Sequence, residues 1–266
     1  MNEVYVWIEA VELLGPGLPN WDAARPVLAG EADYVPSPVE LPPPARLSPA
    51  ERRRAIPSVR LALAVGHAAT GRSGRDPAAM PAVFASSGAD GETIDTILSA
   101  LAAPAREVSP TRFHNSVHNA PSGYWSLAAN SRQPVTSLAG YDGSFAAGLL
   151  EAGVQAVCGG TAVLLVAYDL PYPEPLARLR PIVASFGVAL ILSPTRTDRA
   201  LARLALATGC ERSRVDGCDD PGLEALRLDN PAARSLPLLA AVAARRTSSM
   251  HLEFGRSGLH VATSPC

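Results

Sequence analysis

Apolar residues along the chain fall into short continuous runs, separated by longer stretches in which apolar positions recur at helical spacing. The run "TAVLLVAYD" has no alternating polar positions, which is typical of a strand at the centre of a sheet. β-Branched residues and flanking Gly or Pro support four further strands. The strands are therefore predicted at 4–10, 81–87, 134–139, 161–169 and 187–193.

Helices are predicted between these strands. Ser48, Pro49 and Glu51 have the spacing of a capping box with Pro at the first helical position, and a second helix begins at Ser58. "ETIDTILSALA" and "SFAAGLLEAGVQAV" are also predicted to be helical. Alternation of strands and helices indicates an α/β fold in a single domain, 1–266. We expect 15–47, rich in Pro and Gly, to be an irregular excursion and 195–266 to contain helices and a terminal hairpin, "MHLEFGRSGLHVAT".

The stretch "SLAGYDGSFAAGLLEAG" has the pattern of a strand that turns sharply into a helix. Enzymes often present a nucleophile at such a turn, and here the turn contains Asp142. Asp is a favoured helix N-cap, stabilising by about 1 kcal/mol over Ala, and its charge complements the helix dipole. We therefore expect Asp142 to cap the helix; the alternative is an acid/base or acyl-accepting role.

Composition excludes several classes of function. Hydrophobic residues make up 47% of the chain, enough for a large core, and the net charge of -2 does not favour nucleic acid or anionic lipid as the main partner. All 23 basic residues are Arg. The absence of Lys excludes Schiff-base chemistry, a catalytic Lys and a Walker-type phosphate loop.

Nothing in the sequence predicts secretion, membrane insertion, a metal or another cofactor. The four cysteines form no CxxC pair, the first residues lack a basic segment before an apolar run, and the apolar runs are shorter than the ~20 residues that span a bilayer. His114 and His118 have the i, i+4 spacing of a metal pair, but their segment has an irregular pattern and no Asp or Glu. We expect a cytoplasmic protein with reduced thiols.

From about residue 49 to residue 194 the order of these motifs resembles the N-terminal half of the β-ketoacyl synthases, which have the thiolase-like fold. "PAVFASSGADGETIDTILSAL" is similar to their strand, glycine turn and helix. "HNSVHNAPSGYWSLA" is similar to their loop-helix segment with the pattern Pro-Asn-x-x-x-Gly, for which this chain has His118-Asn119 and Gly123. "PVTSLAGYDGSFAAGLLEAG" is similar to the nucleophile turn. The resemblance implies half of a thiolase-like fold, with a mixed sheet flanked by helices.

Two departures from the family pattern bear on activity. The resemblance places Asp142 where the active enzymes have the cysteine that holds the acyl chain. Their second half, whose His residues drive malonyl decarboxylation, has no clear counterpart here. The chain thus resembles a truncated subgroup found beside type II polyketide and fatty-acid synthases, such as aryl-polyene systems, whose members act like chain-length factors.

The resemblance also suggests which residues contact partners. It places the segment 114–128 near a dimer interface and an acyl tunnel. Contacts with a partner subunit or its acyl chain are therefore expected for the following residues, with ordinary packing as the alternative: His114, His118, Asn119, Tyr124 and Trp125. Three consecutive arginines of the first predicted helix are candidates for docking an acidic acyl carrier protein, or else form a solvated helix face: Arg52, Arg53 and Arg54.

The sequence therefore predicts a non-catalytic partner of a full-length β-ketoacyl-ACP synthase, paired as a heterodimer. In that complex the chain would close one end of the acyl tunnel, and the partner's cysteine would perform the condensation. Two alternatives remain open. One is a stand-alone acyltransferase or malonyl decarboxylase, and the other is a scaffold that binds an acyl carrier protein.

Overall fold

The computed structural model of the chain describes residues 3–88, 90–209, 215–255 and 258–266. Within these residues the strands are β1 (Val4–Leu14), β2 (Ala82–Ala85), β3 (Val135–Leu138), β4 (Val163–Asp169), β5 (Phe186–Ser193), β6 (Ala202–Ala207), β7 (Ser248–Leu252) and β8 (Leu259–Pro265). The α-helices are α1 (Trp21–Leu28), α2 (Pro49–Arg54), α3 (Pro57–Ser73), α4 (Gly91–Ala102), α5 (Pro110–Asn115), α6 (Ala120–Ala129), α7 (Ser144–Gly159), α8 (Leu176–Leu179), α9 (Pro221–Asp229) and α10 (Leu236–Ala243).

The strands form one mixed sheet in the order β3-β2-β4-β5-β1-β6-β8-β7. The neighbours β3, β2 and β4 are parallel, and every other pairing in the sheet is antiparallel. Every residue of β4 is buried, as its continuous apolar run predicts. The predicted α/β class, with a mixed sheet flanked by helices, is confirmed.

Two apolar clusters cover the two faces of the sheet. One face packs against α1, α7, α9 and α10, with Phe145 and Leu149 of α7 fully buried. The other packs against α3 and α6, where Trp125 is fully buried. In α7, Gly148 permits close approach to β2 and β4, because a Cβ there would lie 2.8 Å from the Ala85 Cβ. This contact fixes the turn that precedes α7 against the sheet.

Strand β1 extends four residues beyond the predicted 4–10, through a segment that contains the acidic residue Glu12. Its acidic side chains are buried but paired: Glu9, at a bulge, accepts hydrogen bonds from Arg75 at 2.5 and 2.8 Å, and Glu12 lies 3.3 Å from Arg72. Glu12 also accepts from the Trp21 backbone N–H at 2.5 Å. Pairing offsets the cost of burying these carboxylates, so the strand continues through them.

Two segments are more regular than the sequence suggested. The 15–47 excursion contains α1, whose cap Asn20 accepts a hydrogen bond from the Ala23 N–H. The 195–266 region contains a strand, β6, in addition to helices and the predicted hairpin. This strand is held in the sheet by pairing with both β1 and β8. "ALARLALA" has ambiguous apolar spacing, and tertiary pairing decides that it is a strand. Residues 256–257 of the hairpin lie outside the described residues.

Other expectations can be compared directly with the structure. The Ser48 hydroxyl accepts a hydrogen bond from the Glu51 N–H at the start of α2, as the capping pattern predicts. Among the described helices none is long and apolar enough to cross a membrane. Cys158, Cys218 and Cys266 are unpaired thiols, and Cys210 lies outside the described residues.

Candidate functional site

The carboxyl ends of β2 and β3 lie at a topological switch point of the sheet, and we call the region outside them the crevice. The chain leaves β2 toward α4 and α6 and returns along β3, then leaves β3 through α7, which packs on the opposite face. In open α/β sheets such a reversal between neighbouring strands creates the usual ligand crevice. The residues that surround it come from the β2–α4 loop, the β3–α7 turn and the segment after β4.

The β3–α7 turn is tight and strained at one residue. Tyr141 has φ 56°, a left-handed conformation that is uncommon outside Gly and Asn. Ser144 holds the turn, because its hydroxyl accepts from the Gly140 N–H at 2.9 Å and donates to the Tyr141 carbonyl at 2.7 Å. Gly143 is packed against the β7–β8 connection, and a Cβ there would lie 2.8 Å from the Glu253 carbonyl oxygen.

Asp142 is bound by two arginines from distant parts of the chain. Its Oδ1 lies 2.6 Å from Nη2 of Arg180, and its Oδ2 lies 3.6 Å from Nη2 of Arg234. Arg234 also pairs with Glu253 at 2.6 Å. The carboxylate therefore links three elements: the segment after β4, the 3₁₀ turn Ala232–Ser235, and the β7–β8 connection.

The expectation that Asp142 caps α7 is wrong. The N-cap of that helix is Gly143, which makes no side-chain cap hydrogen bond. Asp142 lies in a 3₁₀ turn, Tyr141–Gly143, that precedes the helix. Its carboxylate is instead directed to the two guanidinium groups, whose opposite charge attracts it.

Residues 170–185 cross over this turn, and we call them the strap. Arg180 of the strap stacks on the Tyr141 ring, 3.7 Å from the ring centroid to the guanidinium carbon, while it pairs with Asp142. Burial lowers the pKa of Arg180, but the carboxylate of Asp142 outweighs this and leaves the pKa above its usual value. One arginine thus contacts both Asp142, which the resemblance aligns with the nucleophile, and its neighbour Tyr141.

A buried carboxyl group, Asp169, lies at the carboxyl end of β4. Its Oδ1 accepts hydrogen bonds from Ser86 Oγ at 3.2 Å and from Ser87 N and Oγ at 2.8 and 2.7 Å. The residue is 2% exposed, and its Oδ2 has no hydrogen-bond partner within the described residues. Burial raises the pKa of Asp169 to about 7, despite hydrogen bonds that favour the ionised form.

The structure separates the five residues predicted to contact a partner or acyl chain. His114 is exposed in α5, while Asn119 is exposed and His118 half-buried in the turn after it, so the two histidines do not share one helical face. His118 reaches the crevice, since its Nε2 lies 3.0 Å from the Ser86 carbonyl oxygen. Tyr124 lies edge-on to His114, with ring centroids 6.3 Å apart.

Trp125 is in the core rather than in the crevice. It is fully buried and contacts His67 and Phe84, with ring centroids 4.6 and 6.1 Å away. Tyr124 is also buried, at 3% exposure. The burial of Tyr124 and Trp125 agrees with the alternative stated from the sequence, that these residues pack within the chain.

The three arginines of α2 are all exposed, but they differ in their contacts. Arg52 donates to the Ala45 and Leu47 carbonyl oxygens at 2.9 and 3.2 Å, and Arg54 pairs with Glu51 at 3.3 Å. Arg53 is exposed on the same helix.

The sequence predicts few of the residues that surround the crevice. It gives no role to four of them, because their partners lie far away in the chain: Arg180, Arg234, Asp169 and Tyr172. Asp169 had one usable signal in the sequence: it ends the run that predicts a buried strand, so a carboxyl group occupies the last position of that strand. In the described part of the chain no group of three or more His, Cys, Asp or Glu could hold a metal ion.

Three comparisons relate this geometry to known proteins. The family described as "Beta-ketoacyl synthase, N-terminal domain" matches residues 27–251. Comparison with curated proteins finds no sequence match.

Three solved structures share the fold at low sequence identity. The complex of the ketosynthase ApeO with its chain length factor ApeC from Xenorhabdus doucetiae matches with 20% identity, TM-score 0.73, 97% of this chain and 98% of that one covered. The ishigamide ketosynthase/chain length factor matches with 16% identity, TM-score 0.70 and 98% of both chains covered. AntDE:AntF, a type II PKS acyl-carrier protein in complex with its ketosynthase, matches with 11% identity, TM-score 0.73 and 100% of both chains covered.

Proposed function

Because the chain belongs to the family of β-ketoacyl synthase N-terminal domains, we propose that it is a non-catalytic, chain-length-factor-like subunit of a β-ketoacyl-ACP synthase. Its partner is a full-length ketosynthase in type II polyketide or fatty-acid biosynthesis of the aryl-polyene kind. The partner's cysteine performs the carbon–carbon condensation, and this chain closes one end of the acyl tunnel.

The open edge of β3 is the observation on which this proposal depends most. β3 ends the sheet, and within the described residues nothing pairs with its outer side. The Pro134 and Leu138 carbonyls accept from the β2 side, at Ala82 and Ser86. Since residues of a parallel ladder alternate in direction, the N–H groups of Val135 and Ser137 are directed away from β2, ready to pair with another strand.

The helices beside β3 have an apolar surface that suits a stable interface. α6 packs on β3, where the Ser137 hydroxyl donates to Ser122 Oγ at 2.8 Å. Large apolar side chains are exposed on α6, on its neighbour in the chain α5 with the turn between them, and on α4, which contacts α5. They are Ile94, Leu98, Leu101, Phe113, Val117 and Leu127, with exposures from 37% to 69%. Exposed apolar side chains of this size suit a protein interface, and obligate interfaces are the more apolar ones.

The state of Asp142 supports a non-catalytic role. Both carboxylate oxygens are engaged by arginines, and Arg180 covers the adjacent Tyr141 ring. A nucleophile must be free to reach a carbonyl, whereas this carboxylate holds three segments of the chain together. The geometry therefore favours a supporting subunit over a stand-alone acyltransferase that uses Asp142.

Carrier-protein docking is the second part of the proposal. Asn115 of α5 donates to the Arg54 carbonyl at 2.9 Å, so the basic helix α2 lies beside α5 and its Arg112. This basic group borders the apolar helices, which suits an acidic carrier protein that delivers chains to the same complex. We expect Arg53→Glu combined with Arg112→Glu to weaken carrier-protein binding at least tenfold at low salt, measured by titration calorimetry. Arg246→Glu, before the opposite edge strand, is the control that leaves binding unchanged.

The edge of β3 gives a sharp test of the pairing itself. The chain is co-expressed with the ketosynthase encoded nearest to it, and the complex is captured through a tag on the ketosynthase. Ser137→Pro removes the outward N–H and should abolish capture, whereas Ser137→Ala loses only the hydroxyl bond to Ser122 and should be captured normally. Equal capture of both variants would contradict pairing through this edge.

A further inference from the structure

A cleft separate from the crevice lies between the end of β1, one face of α3 and residues 37–42, which we call the rim segment. Its volume is about 520 Å³, within the range of about 300–1,000 Å³ that small-molecule sites occupy. Most of the side chains that line it are apolar, among them Leu18, Val39 and Val65. The cleft is therefore suited in size and polarity to the hydrocarbon part of a small ligand.

Hydrogen bonds hold the rim segment against the rest of the cleft. The Gly17 N–H donates to the Ser37 carbonyl oxygen at 3.1 Å, which joins the segment to the turn after β1. Arg60 of α3 donates to the carbonyl oxygens of Leu41 and Pro42, which joins the segment to the helix. Because these walls are already fixed, binding a ligand requires little further ordering of the chain.

One wall of the cleft carries a negative charge that is not fully neutralised. Glu12 lines the cleft and is 5% exposed. Arg72 donates to both carboxylate oxygens of Asp22 at 2.9 Å, and it reaches Glu12 Oε2 only at 3.3 Å. The Leu13 and Trp21 backbone N–H groups bind Glu12 Oε1, but they carry no net charge. One guanidinium group thus faces two carboxylates, and a net negative charge remains beside the cleft.

Glu40 adds a second negative charge at the rim. It is exposed, and it belongs to the rim segment that lines the cleft. None of the described residues that line the cleft is basic, and the chain contains no Lys whose ammonium group could reach the site. The charges around the cleft therefore attract cations and repel anions.

We propose that this cleft binds small amphipathic cations, molecules in which a protonated amine is joined to a short hydrocarbon body. The hydrocarbon packs against the apolar walls, and the ammonium group is attracted by the carboxylates of Glu12 and Glu40. Amphipathic anions such as fatty acids fit the apolar walls but are repelled by the same carboxylates. Binding is a property of this chain alone and goes beyond pairing with a ketosynthase.

Three probes of equal chain length separate the effect of charge from that of apolar contact. They are n-hexylamine, which is protonated at pH 7, n-hexanol and hexanoate, and their dissociation constants are measured on the purified chain by NMR titration. Hexylamine should bind about tenfold more tightly than hexanol, and hexanoate at least about tenfold more weakly than hexanol. Equal binding of hexylamine and hexanol, or no saturable binding of hexylamine, would overturn the proposal.

Variants with matched controls place the binding in the cleft. Ala68 is an exposed residue of α3 that lines the cleft, so Ala68→Trp should abolish binding of hexylamine and hexanol, whereas Ser99→Trp, at an exposed position of α4, should change neither. Glu40→Gln should weaken hexylamine binding about threefold and leave hexanol unchanged, whereas Glu92→Gln on α4 should leave both unchanged. Hexylamine binding that survives Ala68→Trp, or that is the same in Glu40→Gln as in the wild type, would contradict the proposed site.

Discussion

The buried carboxyl of Asp169 should impose a pH dependence on stability that one substitution removes. Its pKa is about 7 in the folded chain against an ordinary value of 3.8, because burial disfavours the charge. At ~1.4 kcal/mol per pH unit this gap corresponds to about 4 kcal/mol. A carboxyl with a raised pKa binds more protons when folded, so its contribution to stability is greatest below pH 4 and falls as the pH rises through 7.

Asp169→Asn removes the titration while it keeps the shape of the side chain. The free energy of unfolding of this variant minus that of the wild type should rise by about 2 kcal/mol between pH 5 and pH 7, then level off above pH 8. Any pH-independent cost of placing an amide in the site shifts the whole curve and leaves its slope unchanged. Urea unfolding followed by circular dichroism at each pH measures the difference.

Glu224→Gln is the matched control for this experiment. The hydrogen bond from Arg227 lowers the pKa of Glu224 to about 2, so the carboxylate is ionised in both folded and unfolded chains above pH 5. Its difference from the wild type should therefore be constant from pH 5 to pH 8. A flat curve for Asp169→Asn as well would refute the reasoning that burial keeps this carboxyl protonated near neutral pH.

Two further substitutions test the packing of the β3–α7 turn. Asp142→Ala leaves two largely buried guanidinium groups without their shared anion, and it should lower the free energy of unfolding in urea by about 1–3 kcal/mol. Its control, Glu174→Gln, breaks only an exposed pair with Arg178 and should lower that free energy by less than about 0.5 kcal/mol. Gly148→Ala should lower stability by about 1–3 kcal/mol through its contact with β2, while Gly71→Ala, with open space at its Cβ, should raise it. Equal effects within either pair would contradict the contacts described.

The sequence predicts the fold wherever local pattern and burial agree. The apolar run of β4 and the capping residues of α2 have the structure that they indicate. Prediction fails where a long-range contact decides. The full length of β1 depends on Arg72 and Arg75 to neutralise its glutamates, and these arginines lie about sixty residues further along the chain.

The candidate site shows the same difference between features set by local pattern and features set by long-range contacts. The turn and its Asp142 are visible in the sequence, because a strand, a glycine-containing turn and a helix follow in order. The partners of Asp142 cannot be predicted from the sequence, since Arg180 and Arg234 belong to segments with no local motif. From the sequence alone, a helix cap is the role that an aspartate at that position favours. In the folded chain the carboxylate instead pairs with Arg180 and Arg234, which the fold brings close to it.

The central claim is that chemistry belongs to the partner and not to this chain. Its most direct test is intact-mass analysis of the complex purified after co-expression with the neighbouring ketosynthase and incubation with an acyl-loaded carrier protein. The account predicts a complex with one copy of each chain, in which only the ketosynthase gains the acyl mass, at its cysteine. An acyl adduct on this chain, or a homodimer that transfers acyl groups without a partner, would contradict it.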